Sequence, residues 1–273
     1  MNSLIGALVV SMALGTAAPA DNNVAEKIDD YRPRIAEDGT VSFGPTEEEI
    51  RAAEEAKRAE EEARKAEEER KRQEEMLKNP QNLNYDHDIA SFTTNYSQKG
   101  NANRNFNMQL ACDAINGVIL TPGQEFSYND TLLSKRDPKN DYKPAGVISG
   151  GKLVNATGGG ICQVSSTLFN AALYSGMTIT QRRNHSLKVG YLPAGRDATC
   201  SWGSIDFRFR NDLKLPVKIE ATMGNGTIKI RFLSPGDPEI GKIDLKVTQN
   251  KGTYTLYRYV DGVVDYTTTS RYK

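Results

Sequence analysis

Beyond its first seventeen residues, this chain of 273 residues has no apolar run approaching the roughly 20 residues that a bilayer span requires. Histidine is scarce at two copies, cysteine stands at three, and there is one tryptophan. Metal chemistry therefore has little to work with: a Cys, one nearby His and an Asp at these spacings match no common zinc pattern. Three consecutive glycines, Gly158 to Gly160, are not followed by Gly-Lys-Ser/Thr, which excludes a phosphate-cradling P-loop. There is no internal repeat. No cofactor or metal is expected, and nucleic acid is not an expected partner.

Charge is balanced at 35 basic and 35 acidic side chains, but the balance averages two unlike parts. Up to residue 83 there are 12 Lys/Arg against 19 Asp/Glu, a net of −7; from Asn84 onward there are 23 against 16, a net of +7. A basic folded part favours an anionic partner. Leu4 to Ala17 is almost wholly apolar or small, and Ala18-Pro19-Ala20 fits a small-x-small cleavage site. Met1-Asn2-Ser3 contributes no Lys or Arg, so residues 1–20 are read as a signal peptide or an uncleaved anchor. The expectation is export: a protein secreted, or anchored on the outer side of the cytoplasmic membrane, touching membrane only through that segment.

Residues 21–45 are polar, carry two prolines and show no period, as in a linker. Thr46 followed by Glu49 then opens a capping box. From Glu47 to Lys78 there is no Gly or Pro, and the one β-branched residue is Ile50. Glu47/Arg51, Glu54/Arg58, Glu60/Arg64, Glu61/Lys65, Glu67/Lys71, Glu68/Arg72 and Glu74/Lys78 stand four apart in the favourable order. Each such pair contributes about 0.2–0.5 kcal/mol. Residues 46–79 are thus expected to form a charged single helix, about 48 Å long over 32 residues. Alanines at 52, 56, 59, 63 and 66 make a homodimeric coiled coil the rival. Asn79-Pro80 stops the helix.

The remainder divides into a domain over 84–235 and a β-rich extension of it over 236–273. Residues 105–115 and 162–174 have helical patterns, 118–120 and 187–192 read as strands, and 130–143 reads as a surface loop. Residues 216–232, with Gly224-Asn225-Gly226 at the turn, predict a hairpin. Further strands are expected at 242–247, 253–260 and 263–268. The fold class is α+β, mostly antiparallel sheet, with a few helices in the first half and the long charged helix ahead of them.

The residues fit for chemistry gather around Gly158-Gly159-Gly160-Ile161-Cys162-Gln163. A Cys in the first turn of a helix sits near unpaired N–H groups and the positive end of the dipole, and both favour the thiolate. His185 follows, and then Asp197 and Asp206. Cys-on-helix, His-on-strand, then Asp is the order of papain-like and transglutaminase-like thiol enzymes, with Cys162 as nucleophile, His185 as base and an acid orienting the imidazole. Asp206 is the preferred acid, because strand alternation over 204–210 can aim it inward; Asp197 is the second choice. Gly158, Gly159, Gly160, Gln163, Ser165, Ser166 and Arg196 are candidates for substrate binding. The bland alternatives remain open: a tight packing turn with Cys162 as a small buried hydrophobe, and serines that permit close packing.

These residues also carry a resemblance to a known family. Arg104-Asn105-Phe106-Asn107, Asn116-Gly117, Phe126-Ser127-Tyr128-Asn129, the run GGGICQVSSTLFNAAL at 158–173, Asn184-His185-Ser186, Gly195-Arg196-Asp197-Ala198-Thr199 and Asp206-Phe207-Arg208-Phe209-Arg210-Asn211 are similar to the VanW family. The resemblance implies a link to the bacterial cell wall, with peptidoglycan or an anionic wall polymer as partner, and does not define a reaction. Cys112 and Cys200 stand outside the family pattern; in an exported chain they are expected to pair and leave Cys162 as the free thiol. Three functions stay open on this reading: a Cys/His-dependent amide-bond enzyme of peptidoglycan, a hydrolase or an acyl transferase; a non-catalytic wall-binding module on a stalk; and a scaffold for other envelope proteins.

Overall fold

The computed structural model describes residues 34–273 except 36 and 43. The expected signal or anchor, and the linker up to 33, lie outside the described residues. Among the described residues no helix is long and apolar enough to cross a membrane. The chain falls into two units, one ending at Glu68 and one running from Glu69 to Lys273. Ahead of the long helix, β1 (Arg34–Ile35) and β2 (Val41–Ser42) pair antiparallel.

Helix α1 spans Glu47–Lys78, the range its composition predicts. The capping box forms: Glu49 N–H donates to Thr46 Oγ1 at 3.2 Å, and Thr46 N–H donates to Glu49 Oε2 at 2.7 Å. No residue of α1 is buried, so the helix rests on propensity, capping and side-chain pairs. Lys65 reaches back to Glu61 at 2.7 Å as expected. Arg51 and Arg58 instead reach forward to Glu55 and Glu62, and Arg70, which belongs to no expected pair, reaches Glu74.

The second unit is α+β with antiparallel sheets. Strands β3 (His87–Asn95), β4 (Ile119–Leu120), β10 (Val217–Gly224) and β11 (Thr227–Ser234) form a four-stranded sheet in the order β3-β11-β10-β4. Strands β5 (Glu125–Ser127), β8 (Thr178–Gln181) and β9 (Arg208–Arg210) make a second sheet, ordered β5-β9-β8. Strands β6 (Pro144–Ser149) and β7 (Lys152–Thr157) form an isolated hairpin. Strands β12 (Ile243–Asn250), β13 (Thr253–Val260) and β14 (Val263–Arg271) form a meander. The 216–232 hairpin and the three late strands follow the pattern read from sequence, because alternation and Asn-Gly or Asp-Gly turns encode them locally. Asn225 and Asp261 take the left-handed conformation that such turns demand, at φ 50° each.

Three helices complete the unit: α2 (Ala102–Ile115), α3 (Tyr128–Lys135) and α4 (Ile161–Tyr174). Helix α4 is the axis of the core. Of its fourteen residues only Cys162 and Tyr174 are not buried. Periodicity suggested one apolar side; the helix is in fact enclosed all round. Its polar residues tolerate this because they bond within the protein: Ser166 Oγ donates to Cys162 O, Thr167 Oγ1 to Gln163 O, and Asn170 Nδ2 to Ser166 O, each at 2.7 Å. Phe169 meets Phe207 edge to face at 5.6 Å, and Phe126 stacks on Phe209 at 4.8 Å.

Three local expectations are corrected. Residues 130–143 are not all loop: Ser127 Oγ accepts the Asp130 N–H at 3.0 Å and starts α3. Residues 187–192 form bends instead of a strand, so His185 sits on a loop. No cysteine is bridged; Cys112 and Cys200 are both free and buried, and the Cys200 sulfur faces Cys162.

Candidate active site

The glycine run is shaped by close approach of other backbone. A Cβ on Gly159 would lie 2.6 Å from the Ala145 carbonyl oxygen on β6. Gly160, at φ +114°, would place one 2.9 Å from the Arg104 carbonyl oxygen on α2. Asn107 pins the turn from α2, donating through Nδ2 to Lys143 O at 2.8 Å and Gly159 O at 3.0 Å. The turn therefore delivers the chain into α4 at one fixed angle, with Cys162 in the first turn. The packing reading of the glycines and the functional one describe the same geometry.

The Cys162 thiol is half-buried at the floor of a cleft of about 910 Å³. Its Sγ lies 3.4 Å from the Cys200 carbonyl oxygen, 3.6 Å from Cys200 Sγ and 3.7 Å from Thr199 Oγ1. His185 is 5% exposed and bonds through Nδ1 to Asp197 Oδ2 at 2.7 Å. That leaves Nε2 off Asp197, and His185 lines the same cleft as Cys162. Asp197 is fully buried and accepts four donors: the His185 N–H at 2.6 Å, His185 Nδ1, the Tyr272 hydroxyl at 2.5 Å and Arg182 Nη2 at 3.4 Å.

The electrostatics agree with the geometry. The hydrogen bond from the Cys200 thiol, and then the His185 imidazole, hold the Cys162 thiol well below the ordinary thiol range in spite of burial. Cys200 is pushed the other way by Cys162 and by burial. Burial alone depresses His185, but Asp197 and Cys162 outweigh it and lift the imidazole to about 9. Burial raises Asp197, and its bonds to His185, Tyr272 and Arg182 more than reverse that. These directions favour a thiolate beside an imidazolium, with a carboxylate behind it.

Asp206 does not take part. Its Oδ1 accepts the backbone N–H groups of Asn129 and Phe207, at 2.9 and 2.8 Å. Its Oδ2 accepts the Ser127 hydroxyl at 2.6 Å and Arg208 Nε at 2.8 Å. It anchors the start of α3 against β9, and Asp197 occupies the position expected of Asp206. The expectation failed because only three residues of the 204–210 stretch are strand.

Several binding candidates are spoken for elsewhere. Ser165 and Ser166 are fully buried; Ser165 Oγ donates to Ala198 O at 2.7 Å, and Ser166 Oγ accepts the Ala198 N–H at 3.0 Å. In doing so they tie α4 to the segment that carries Asp197. Gln163 donates to Thr94 Oγ1 and Asn95 O while Arg104 Nη2 holds its carbonyl at 2.7 Å, so its amide is not an oxyanion donor. Arg196 bonds Asn170 through Nε at 2.7 Å and stacks over Phe92 and Tyr174. Gly158 and Gly160 line the cleft, with Trp202 against Gly158.

Sequence reasoning missed Thr199, Cys200 and Tyr272. The first two follow Asp197 by two and three residues, so placing Asp197 at the imidazole would have brought them along. Nothing in local pattern links Tyr272 to Asp197, 75 residues away.

Comparison with known proteins agrees with the signature. Residues 103–233, which include Cys162, His185 and Asp197, match the family model described as VanW like protein. The chain is 32% identical over 191 residues to the vancomycin B-type resistance protein VanW of Enterococcus faecalis (strain ATCC 700802 / V583), covering 67% of this chain and 64% of that protein. The chain belongs to the VanW-like family. It is also 42% identical over 139 residues to the uncharacterized protein YoaR of Bacillus subtilis (strain 168), covering 51% of this chain and 46% of that protein. It thus spans less than two thirds of the length of these curated relatives. No solved structure gives a significant match.

The arrangement suits attack on a carbonyl. The N–H groups of Ile161 and Gln163 are bonded to the Gly158 and Gly160 carbonyls, while that of Cys162 has no acceptor among the described residues and lies beside its own sulfur. Four basic side chains line the cleft, Arg104, Arg183, Lys188 and Arg271, and no Asp or Glu does.

Proposed function

We propose that this VanW-like chain is an exported envelope protein that breaks or exchanges an amide bond in a peptide of peptidoglycan, with Cys162 as nucleophile. The observation that carries the reading is the Cys162 thiol at the open end of α4, beside an imidazole whose far nitrogen is held by Asp197 at 2.7 Å. The thiolate adds to the amide carbon, and the carbonyl oxygen takes the displaced electron pair and bonds to the Cys162 N–H. As the intermediate collapses, the C–N bond breaks and His185 gives its Nε2 proton to the departing nitrogen. A thioester remains. Water or an amine then adds to it, losing a proton to His185, and the C–S bond breaks to release the Cys162 thiolate. Water completes a hydrolysis and an amine completes an acyl transfer. The four cations of the cleft and the absence of carboxylates from its lining favour an acceptor or donor peptide that bears free carboxylates. The resistance protein's name ties that relative to a wall-directed antibiotic, which supports the wall as the place of action.

The test is incubation of the protein with purified wall peptides, followed by mass spectrometry of both. A peptide-sized adduct on Cys162 or a changed peptide is expected, and both should vanish in Cys162→Ala. A basic cleft also supports a wall-binding module. That second reading predicts that Cys162→Ala sediments with wall material as the wild type does, with no adduct and no altered peptide in either.

A further inference from the structure

The C-terminal meander β12-β13-β14 is bound to the site from one side, beyond the residues that the family model covers. Residues on both sides of His185 are tied to it. Arg182 Nη1 donates to Thr269 O at 3.1 Å, Asn184 Nδ2 to Arg271 O at 2.7 Å, and the Lys273 N–H to Ser186 O at 2.8 Å. Gly195, at φ +91°, lies against the meander: a Cβ there would sit 3.1 Å from Val247 and 3.3 Å from Tyr254. At the centre of these ties, the Tyr272 hydroxyl donates to Asp197 Oδ1 at 2.5 Å and accepts the Gly195 N–H at 2.6 Å. Its ring packs edge-on against Tyr254 at 5.6 Å.

We infer that Tyr272 is a positioning residue of the thiol site, holding the Asp197 carboxylate in the one rotation that puts Oδ2 on His185 Nδ1. The inference rests on the thiolate–imidazolium reading of Cys162 and His185. A carboxylate with a single anchor can turn about its Cα–Cβ and Cβ–Cγ bonds, and here the two oxygens are fixed separately. Oδ2 is taken by the main chain and ring of His185, and Oδ1 by Tyr272, with Arg182 at the longer distance of 3.4 Å. A neutral hydroxyl suits that place. It holds the oxygen at short range without adding a second positive charge to that of the buried Arg182 guanidinium at 3.4 Å. The Gly195 N–H aims the hydroxyl proton, since a phenol oxygen that accepts from one side donates towards the other. The charged and titratable groups around this cluster are His185, Arg182, Tyr191, Tyr266 and Cys162. Burial and Asp197 push the Tyr272 phenol to about 12, which keeps it a donor throughout the working range of a thiol.

The experiment is the rate of Cys162 alkylation by iodoacetamide against pH, read by mass spectrometry on the full chain. Wild type, Tyr272→Phe, Asp197→Asn and His185→Ala are compared, with Tyr257→Phe as a control on the outer part of the meander. Melting curves report the fold. The wild type should titrate well below the ordinary thiol range, His185→Ala should return to it, and Tyr257→Phe should overlay the wild type. Tyr272→Phe should move the midpoint up by about one unit, so that alkylation on the acid limb slows about tenfold, in the direction of Asp197→Asn. A chain ending at Arg271 removes the same hydroxyl together with the Lys273 bond to Ser186 and the ring contact with Tyr254, and supplies the midpoint if the phenylalanine variant does not fold. If Tyr272→Phe overlays the wild type while His185→Ala shifts, the hydroxyl only seals the meander: the inference falls and the thiol–imidazole reading stands. If wild type and His185→Ala both titrate as a free thiol, the two fall together.

Discussion

Asp206 and Asp197 are two buried carboxylates with opposite expected phenotypes, and two pairs of substitutions separate them. In Asp206→Ala, the N–H groups of Asn129 and Phe207 lose their acceptor in a buried place, at about 1–3 kcal/mol each. Ser127 and Arg208 lie closer to solvent, where water replaces much of what they lose. The expected cost is about 2–5 kcal/mol, and for a unit of this size it lowers Tm by about 5–15 °C. Asp206→Asn keeps an oxygen in place of Oδ1, so both backbone bonds survive. It sets an amide NH₂ against the Arg208 guanidinium, now 2.8 Å from Oδ2, and should cost about 1–2 kcal/mol. Neither change should alter the pH midpoint of Cys162 alkylation. Asp197→Asn should do the reverse: it leaves an acceptor for the main chain but weakens the hold on the imidazolium, and the thiol midpoint rises. The assays are thermal melting and the iodoacetamide titration on one set of proteins. If Asp206→Asn raised the thiol midpoint and Asp197→Asn left it alone, the assignment of the acid would be wrong.

Other outcomes follow from the same geometry. His185, lifted to about 9, is charged below that value, so amide cleavage should fall as pH rises through about 9 while alkylation, which needs only the thiolate, does not. The same shift contributes stability that is complete below the ordinary histidine value of about 6.5 and is lost as pH rises through about 9, measurable as a decline in Tm. Gly159→Ala forces a methyl against the Ala145 carbonyl, where backbone must yield; a loss of about 1–3 kcal/mol in denaturant melts is expected, with slower Cys162 labelling. Mild oxidation should link Cys162 to Cys200 and leave Cys112 free, as read by peptide mapping, because the first two sulfurs are 3.6 Å apart and burial pushes Cys112 to about 12.

How far the fold could be read in advance depended on where the information lay. Helix α1 carries its own cap and pairs, and the 216–232 hairpin carries its own turn, so both stood in the sequence as local features. Helix α3 did not, since its cap, Ser127, is reinforced by Asp206 from 77 residues away at Asn129. The hairpin β6–β7 was missed because Gly150-Gly151 sits between strands with no alternation of burial, and β7 is exposed along its whole length. Cys162 and His185 were legible as chemistry because few other residues of their kind exist in the chain. The acid was not, because the choice between Asp197 and Asp206 turns on loop geometry. The expected Cys112–Cys200 pair rested on counting, and counting says nothing of which sulfurs meet.

The enclosure of α4 has a consequence for how selectivity and reactivity can change. The Cys162 sulfur is fastened to the element expected to exchange its amide protons most slowly, while another wall of the cleft, β7, is exposed throughout and holds Leu153 at 73% exposure. A change in what the cleft accepts is therefore a matter for the hairpin, which can bend, lengthen or trade side chains while the sulfur stays where it is. Alterations to the sulfur's own surroundings run straight into the core and bring global unfolding with them. A library of variants along 146–157 should accordingly yield folded proteins of differing preference, and one along 161–173 should yield mostly insoluble ones.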